Sequence, residues 1–423
     1  MTRTLASIAI AAALVLAGAL PATGAAMGAQ QSEGYAGAHV SFETSNDAVV
    51  DYGVGGETVL ESVAVNSQSA VESDAGVGVD VGLSAMSDIA GAALSLGART
   101  ETSATVTADS GAELTAHDNP RGILVVSAGN GSQYVTANVS GGAEASAESD
   151  ERVVVTREDG RDGAFLVVGN GSVQVNDGGN VSASLSEDAQ LVFRSYESER
   201  EADDEQQERM IVNGTATAEA YVTQSGEDGS ELAADAVEYG NDTRVNVTSY
   251  GEGAVNVTAE RTQHEGRVII TTVSEQALDV TENLSVRVDG EAAAEASSYG
   301  ELESAIEEGN ESRFLVRQDA SADASADVLV AVNHFSERQI AMTDDSTNES
   351  ETTESGTETA TADGTEESTE GNAPETTDGD EETNVETVTE PTPTPTAGDG
   401  PGFGLVAALV AAGLLGLAAT RRA

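Results

Sequence analysis

Between residues 30 and 343 apolar and polar positions alternate in short runs, punctuated by Gly, Asn and Asp. A period of two puts successive side chains on opposite faces of an extended chain, so this rhythm predicts half-buried strands. Val245, Val247, Val255 and Val257 alternate with Asn and Thr, which gives one apolar and one polar face. Two denser runs, Ile123–Val126 and Ala164–Val168, are followed by Gly129-Asn130-Gly131 and Gly169-Asn170-Gly171. A further run comes after each, Gln133–Val139 and Ser172–Val175. Asn-Gly accepts the positive φ of a type I′ turn, so both places are predicted to be hairpins. Hairpins imply antiparallel pairing and favour a sandwich over a parallel solenoid. Helical character is confined to the charged stretch Glu197–Met210 and to Gly300–Glu308, where Leu302, Ala305 and Ile306 share one side. Gly76–Leu96, rich in Gly and Ala, reads as a strand followed by a short helix.

A weak internal repeat runs through this region. Ala145-x-Ala147-x-x-Asp150-x-x-Val153 is matched by Ala183-x-Leu185-x-x-Asp188-x-x-Leu191 and by Ala322-x-Ala324-x-x-Asp327-x-x-Val330. Each copy reads as strand, acidic turn, strand. The repeat suggests duplication of a β unit and two sandwiches meeting near the stretch at 197–210, without the fixed period of a solenoid. The fold class expected is therefore all-β: an antiparallel β-sandwich-like ectodomain in two units, 30–200 and 211–343, followed by a disordered acidic stalk and a C-terminal hydrophobic helix.

Composition changes the picture in one respect. The 18 basic residues, every one of them Arg, face 74 acidic ones, for a formal charge of −56. Aromatics are 3% of the chain, and Cys and Trp are absent. A disordered acidic chain shares these features, but it would lack the strand-like apolar runs of the middle region. Adaptation to molar salt accounts for both. There the Debye length falls to about 3 Å and repulsion among surface carboxylates is screened. The same charge excludes nucleic acid as a partner. With no Cys, core packing and salt must hold the fold.

The two ends carry addresses. Residues 1–29 read as a signal peptide for the secretion machinery: Arg3, an apolar region Leu5–Leu20, then the small residues Ala22–Ala26. Residues 344–400 hold 18 Asp/Glu and no basic residue among dense Ser and Thr, so they are expected to form a disordered stalk. Pro401-Gly402-Phe403 follows, then an apolar run from Gly404 to Ala419, then Arg421 and Arg422. As a helix the run would span roughly 26 Å, enough for a thin bilayer. Arg421 and Arg422 would flank the membrane on the cytoplasmic side.

Pro401, Gly402 and Phe403, the Ala/Leu-rich run and the terminal arginine pair together resemble the PGF-CTERM sorting signal of archaeal surface proteins. The resemblance covers roughly the last 24 residues. It implies that an archaeosortase-like membrane enzyme removes the helix of 401–423 and that lipid is attached to the new C-terminus. The chain would then be held at the cell membrane by lipid, or by the helix if it is retained.

Eleven of the 18 asparagines begin Asn-x-Ser/Thr sequons: Asn130, Asn138, Asn170, Asn180, Asn213, Asn241, Asn246, Asn256, Asn283, Asn310 and Asn348. Chance predicts about four at this Ser/Thr content, so the excess points to N-glycosylation. Signals for catalysis are poor. His39, His117, His264 and His334 are scattered, with no HExxH, no GxSxG and no Cys nucleophile. Asp159-Gly160-Arg161-Asp162-Gly163 and Glu227-Asp228-Gly229 lack the full ligand spacing of a calcium loop and read as solvated turns, so no metal or other cofactor is expected. The expectation is a non-enzymatic, exported surface glycoprotein with a structural or adhesive envelope role, within or beside the surface layer (S-layer). The alternative is an extracellular binding module for a solute, metal ion or glycan.

Overall fold

The computed structural model describes residues 33–344 apart from 77–81, 159, 226–230, 252, 279–283, 309–310 and 319–324. The signal peptide, the stalk beyond Asp344, the sorting motif Pro401–Phe403, Arg421 and Arg422, and the sequons at Asn283, Asn310 and Asn348 lie outside the described residues. So does Glu227-Asp228-Gly229.

The described chain is mostly β, in four sheets of seven, eight, six and five strands, here A to D in that order. Sheets A and B face each other across one core. Phe42, Val63, Val135 and Leu185 from A meet Leu114, Val126, Phe165 and Phe193 from B. Its aromatic rings form a chain: Tyr35 on Phe42 at 5.9 Å, Phe42 on Tyr52 at 6.2 Å, Tyr52 on Phe193 at 6.4 Å and Phe193 on Phe165 at 4.9 Å. Sheets C and D enclose a second core, with Val222, Ile269 and Val330 from C against Val245, Val257 and Ile340 from D. The predicted apolar face of Val245, Val247, Val255 and Val257 is the D side of that core.

Sheets B and C also meet, back to back, across a third cluster that includes Val125, Leu166 and Val192 from B, Ile123 just before its strand, and Ile270, Leu329 and Ala331 from C. This explains the dense apolar runs. A strand covered on both faces cannot alternate with polar residues and reads as continuous hydrophobe. Ile123–Val126 and Phe165–Val167 are buried on both sides, as are Val268–Ile270 and Val328–Val332. Three helices sit beside the sheets: α1 (Gln68–Ala75), α2 (Ala202–Val212) and α3 (Tyr299–Glu308). Met210 and Ile211 of α2, and Leu302 and Ala305 of α3, add to the cluster between B and C. Among the described residues no helix is long and apolar enough to cross a membrane.

Pairing is antiparallel except that Ala216–Ser225 runs parallel to Glu265–Ser274, and Ala294–Glu295 parallel to Arg313–Gln318. Several local expectations need correction. The Gly-Asn-Gly turns are present but are not hairpins. Leu124–Ser127 belongs to sheet B and Gln133–Val139 to sheet A; Gly163–Val168 and Gly171–Val175 divide the same way. The chain therefore arches across the sandwich at both places. Positive φ falls on Gly129 (63°) and Gly169 (87°) and not on Asn130 or Asn170, so no type I′ turn forms. Type I′ geometry appears instead at Gly55-Gly56 and Asp289-Gly290, where both residues have positive φ and the flanking strands do pair.

The three repeat copies have three different structures. The first is a hairpin within sheet B. The second crosses from sheet A to sheet B, with Asp188 at φ 63°. In the third, Asp327 and Val330 both lie inside the strand Ser325–His334. The shared letters reflect a common strand vocabulary. Of Gly76–Leu96, residues 77–81 lie outside the described residues; the rest holds one short helical turn at Leu83–Ala85 and then the start of the strand Leu94–Arg99, while helix α1, with Ser67 Oγ accepting the N–H of Ala70 at 3.3 Å, ends just before the stretch. Helix α2 starts at Ala202 and not at 197, because Glu201 and Asp204 form a capping box there.

Candidate functional site

The most concentrated chemistry lies where sheets B and C meet. Strand alternation puts it there. In Gln190–Ser195, Leu191 and Phe193 face the A/B core, so Val192 and Arg194 face sheet C. In Ala216–Ser225, Ala218, Ala220 and Val222 face the C/D core, so Glu219 and Tyr221 face sheet B. The same count turns Thr272 and Asp327 towards B.

Arg194 and Glu219 are both fully buried. Arg194 Nη2 donates to Glu219 Oε2 at 3.4 Å and to Gln207 Oε1 at 3.2 Å. Glu219 also accepts the hydroxyls of Tyr221 and, at 2.6 Å, of Tyr239. Beside this group Asp327 accepts Arg121 Nη2 at 2.6 Å, Gln207 Nε2 at 2.7 Å and Thr272 Oγ1 at 2.7 Å. Towards the rim, Glu208 of α2 accepts Tyr196 Oη at 2.7 Å and Arg200 Nε at 2.7 Å.

Burial is the largest influence on Arg121 and works against its charge, but Asp327, Tyr221 and Asp204 together hold the guanidinium above its ordinary range. Burial is also the largest influence on Arg194, and Glu219 together with Tyr196, Tyr239 and Tyr221 raises its guanidinium well above the ordinary range all the same. Burial, then the charge of Glu219, pushes the phenols of Tyr221 and Tyr239 well above theirs. These groups are consumed by one another. Pairing at this depth fixes register between two sheets.

A looser polar belt surrounds this layer. His117 Nδ1 stands 3.1 Å from Asp235 Oδ2, and Asn119 Nδ2 donates to the same oxygen at 3.2 Å. His39 Nε2 lies 3.1 Å from the carbonyl of Gln224. Here a cleft of about 490 Å³ opens between Gly37–His39 and Thr102 on one side and Thr223–Ser225 on the other. Its one strongly held carboxylate, Asp118, takes the N–H groups of Ala38, His39 and Val40 at 2.6–2.8 Å.

The histidines scattered in sequence are thus not scattered in space: His39 and His117 serve the junction, and His264 and His334 meet elsewhere at 5.5 Å between ring centroids. Of the candidate cation loop, Asp159 lies outside the described residues, and Asp162 accepts the N–H groups of Arg157 and Arg200 at 3.1 Å. Among the described residues no group of three or more His, Asp or Glu is placed to hold a metal ion.

Eight sequon asparagines are described. Asn130, Asn170, Asn213, Asn241 and Asn246 are exposed; Asn138, Asn180 and Asn256 are half-buried. Five of them occupy arches and turns (Asn130, Asn170), the C-cap of α2 (Asn213) or the outward face of sheet D (Asn246, Asn256), while Asn138 Nδ2 donates to Ser62 Oγ at 3.0 Å and Asn180 Oδ1 accepts the N–H of Val139 at 3.1 Å. Asn213 Oδ1 accepts the N–H of Thr215 at 2.9 Å, which folds Asn-Gly-Thr into a compact turn.

No family's sequence model matches the chain, and no curated protein does. Among solved structures it is similar to a family 81 glycoside hydrolase from Clostridium thermocellum, with TM-score 0.34 and 9% identity over 71% of this chain. The match spans 34% of that enzyme's length, and a likeness this distant carries no argument about activity.

Proposed function

We propose that this is an exported, N-glycosylated cell-surface protein with a structural or adhesive role in the envelope of a salt-adapted organism. It is non-enzymatic and is attached at its C-terminus by archaeosortase-type processing. The observation that carries the reading is the placement of the sequons: none of the eight described asparagines is buried. A glycan is bulky and must project into solvent, so outward turns and outward strand faces suit it. The buried ionic layer fits a load-sharing role, because it joins two sandwiches through paired charges.

Replacing Pro401-Gly402-Phe403 with alanines tests the attachment. The replacement leaves a longer, uncleaved, membrane-spanning form if the reading holds, and a product of unchanged length if it fails. The second reading, a binding module, is favoured by the cleft of about 490 Å³ at the sandwich junction, a usual place for ligands. A thermal-shift screen of sugars and metabolites separates the two: a stabilising hit lost on Thr223→Trp supports the binding module.

A further inference from the structure

We propose that His264 and His334 form a binding site for a divalent transition-metal ion. The two residues come together because Glu265–Ser274 and Ser325–His334 are antiparallel neighbours, with Glu265 opposite His334 and His264 next in line. Their ring centroids are 5.5 Å apart. Metal–imidazole bonds are about 2.0–2.1 Å, so two imidazoles on one ion at a tetrahedral angle have centroids roughly 5 Å apart. The observed separation is close to that, but the rings are stacked at 19° to one another, so one of them must turn before both lone pairs meet one ion.

One ligand is pre-oriented. His264 Nδ1 lies 2.7 Å from the carbonyl of Phe335. A carbonyl only accepts, so Nδ1 carries the proton and the lone pair of the neutral ring is on Nε2. Metal-binding histidines are commonly fixed by this kind of carbonyl contact on the other ring nitrogen. Both backbones are pinned as well. Phe335 N–H donates to His264 O at 3.1 Å, and Arg338 Nε donates to His334 O at 2.6 Å. Both side chains are exposed at a recess of about 460 Å³, so His334 can turn to meet an ion and water can complete its shell.

Two imidazoles with water favour Ni²⁺, Cu²⁺ or Zn²⁺. Mg²⁺ and Ca²⁺ prefer oxygen ligands and are left to the many carboxylates. The test is calorimetric titration of NiCl₂ into the full-length protein, in molar NaCl with excess MgCl₂ to occupy those carboxylates. One saturable site is expected. His264→Ala and His334→Ala should each weaken it about tenfold or more, and His39→Ala should leave it unchanged. Circular dichroism confirms that the variants are folded. The proposal is overturned if wild-type protein shows no site above the Mg²⁺ background, or if either histidine variant binds Ni²⁺ as wild type does.

Discussion

Glu219→Gln removes the negative charge from the middle of the B/C junction while keeping the shape of the side chain. Arg194 is then a fully buried cation without its counter-charge. It is poorly served by other acceptors, since its Nε and Nη1 have no hydrogen-bond partner and only Nη2 is bonded. Breaking one side of a buried pair costs about 3–5 kcal/mol. For a folded body of about 300 residues, at about 2.1 cal/mol/K per residue, each kcal/mol lowers Tm by about 1.5 °C, so a fall of about 5–8 °C follows. Adding Arg194→Met removes the stranded cation, and the double variant should return to within about 1 kcal/mol of wild type. Urea unfolding in molar NaCl, followed by circular dichroism, measures all three. The reasoning fails if Glu219→Gln costs under about 1 kcal/mol, or if the double variant is no more stable than the single.

The phenols of Tyr52, Tyr196, Tyr221 and Tyr239 are raised well above 10, first of all by burial. Below pH 10 these groups are neutral whether folded or not; above it the unfolded chain releases protons that the folded one keeps, so stability falls by roughly 5 kcal/mol per pH unit. Absorbance at 295 nm should show these four ionising together with alkaline unfolding, and their ionisation in folded protein would contradict the burial. The described region should also be folded in molar KCl or NaCl and lose tertiary structure on dilution, because screening of its carboxylates is removed. A salt-independent circular dichroism signal contradicts that.

The strands were legible because alternation survives wherever a sheet has one wet face, as in Val245–Val257. The sandwich architecture followed from the same rhythm, but the sheet-crossing arches did not. An Asn-Gly-containing turn looks alike in sequence whether the next strand pairs beside the last or across from it, and only long-range packing decides. The buried ionic layer was missed for a related reason. Its signal was present: single polar residues, Arg194 and Asp327, sit against dense apolar runs, and a polar residue there must find a partner. The partners lie far away in sequence, up to 206 positions for Arg121 and Asp327. The meeting of His264 with His334 depends in the same way on the pairing of two distant strands.

The central claim concerns what the mature protein carries and where it ends. Mass spectrometry of the protein recovered from the cell surface tests both at once. The account predicts glycosylated peptides at exposed sequons such as Asn170, Asn213 and Asn246, a C-terminus near Pro401 bearing lipid, and no peptide from Leu405–Arg422. Unmodified asparagines at those positions together with an intact C-terminal helix would contradict it.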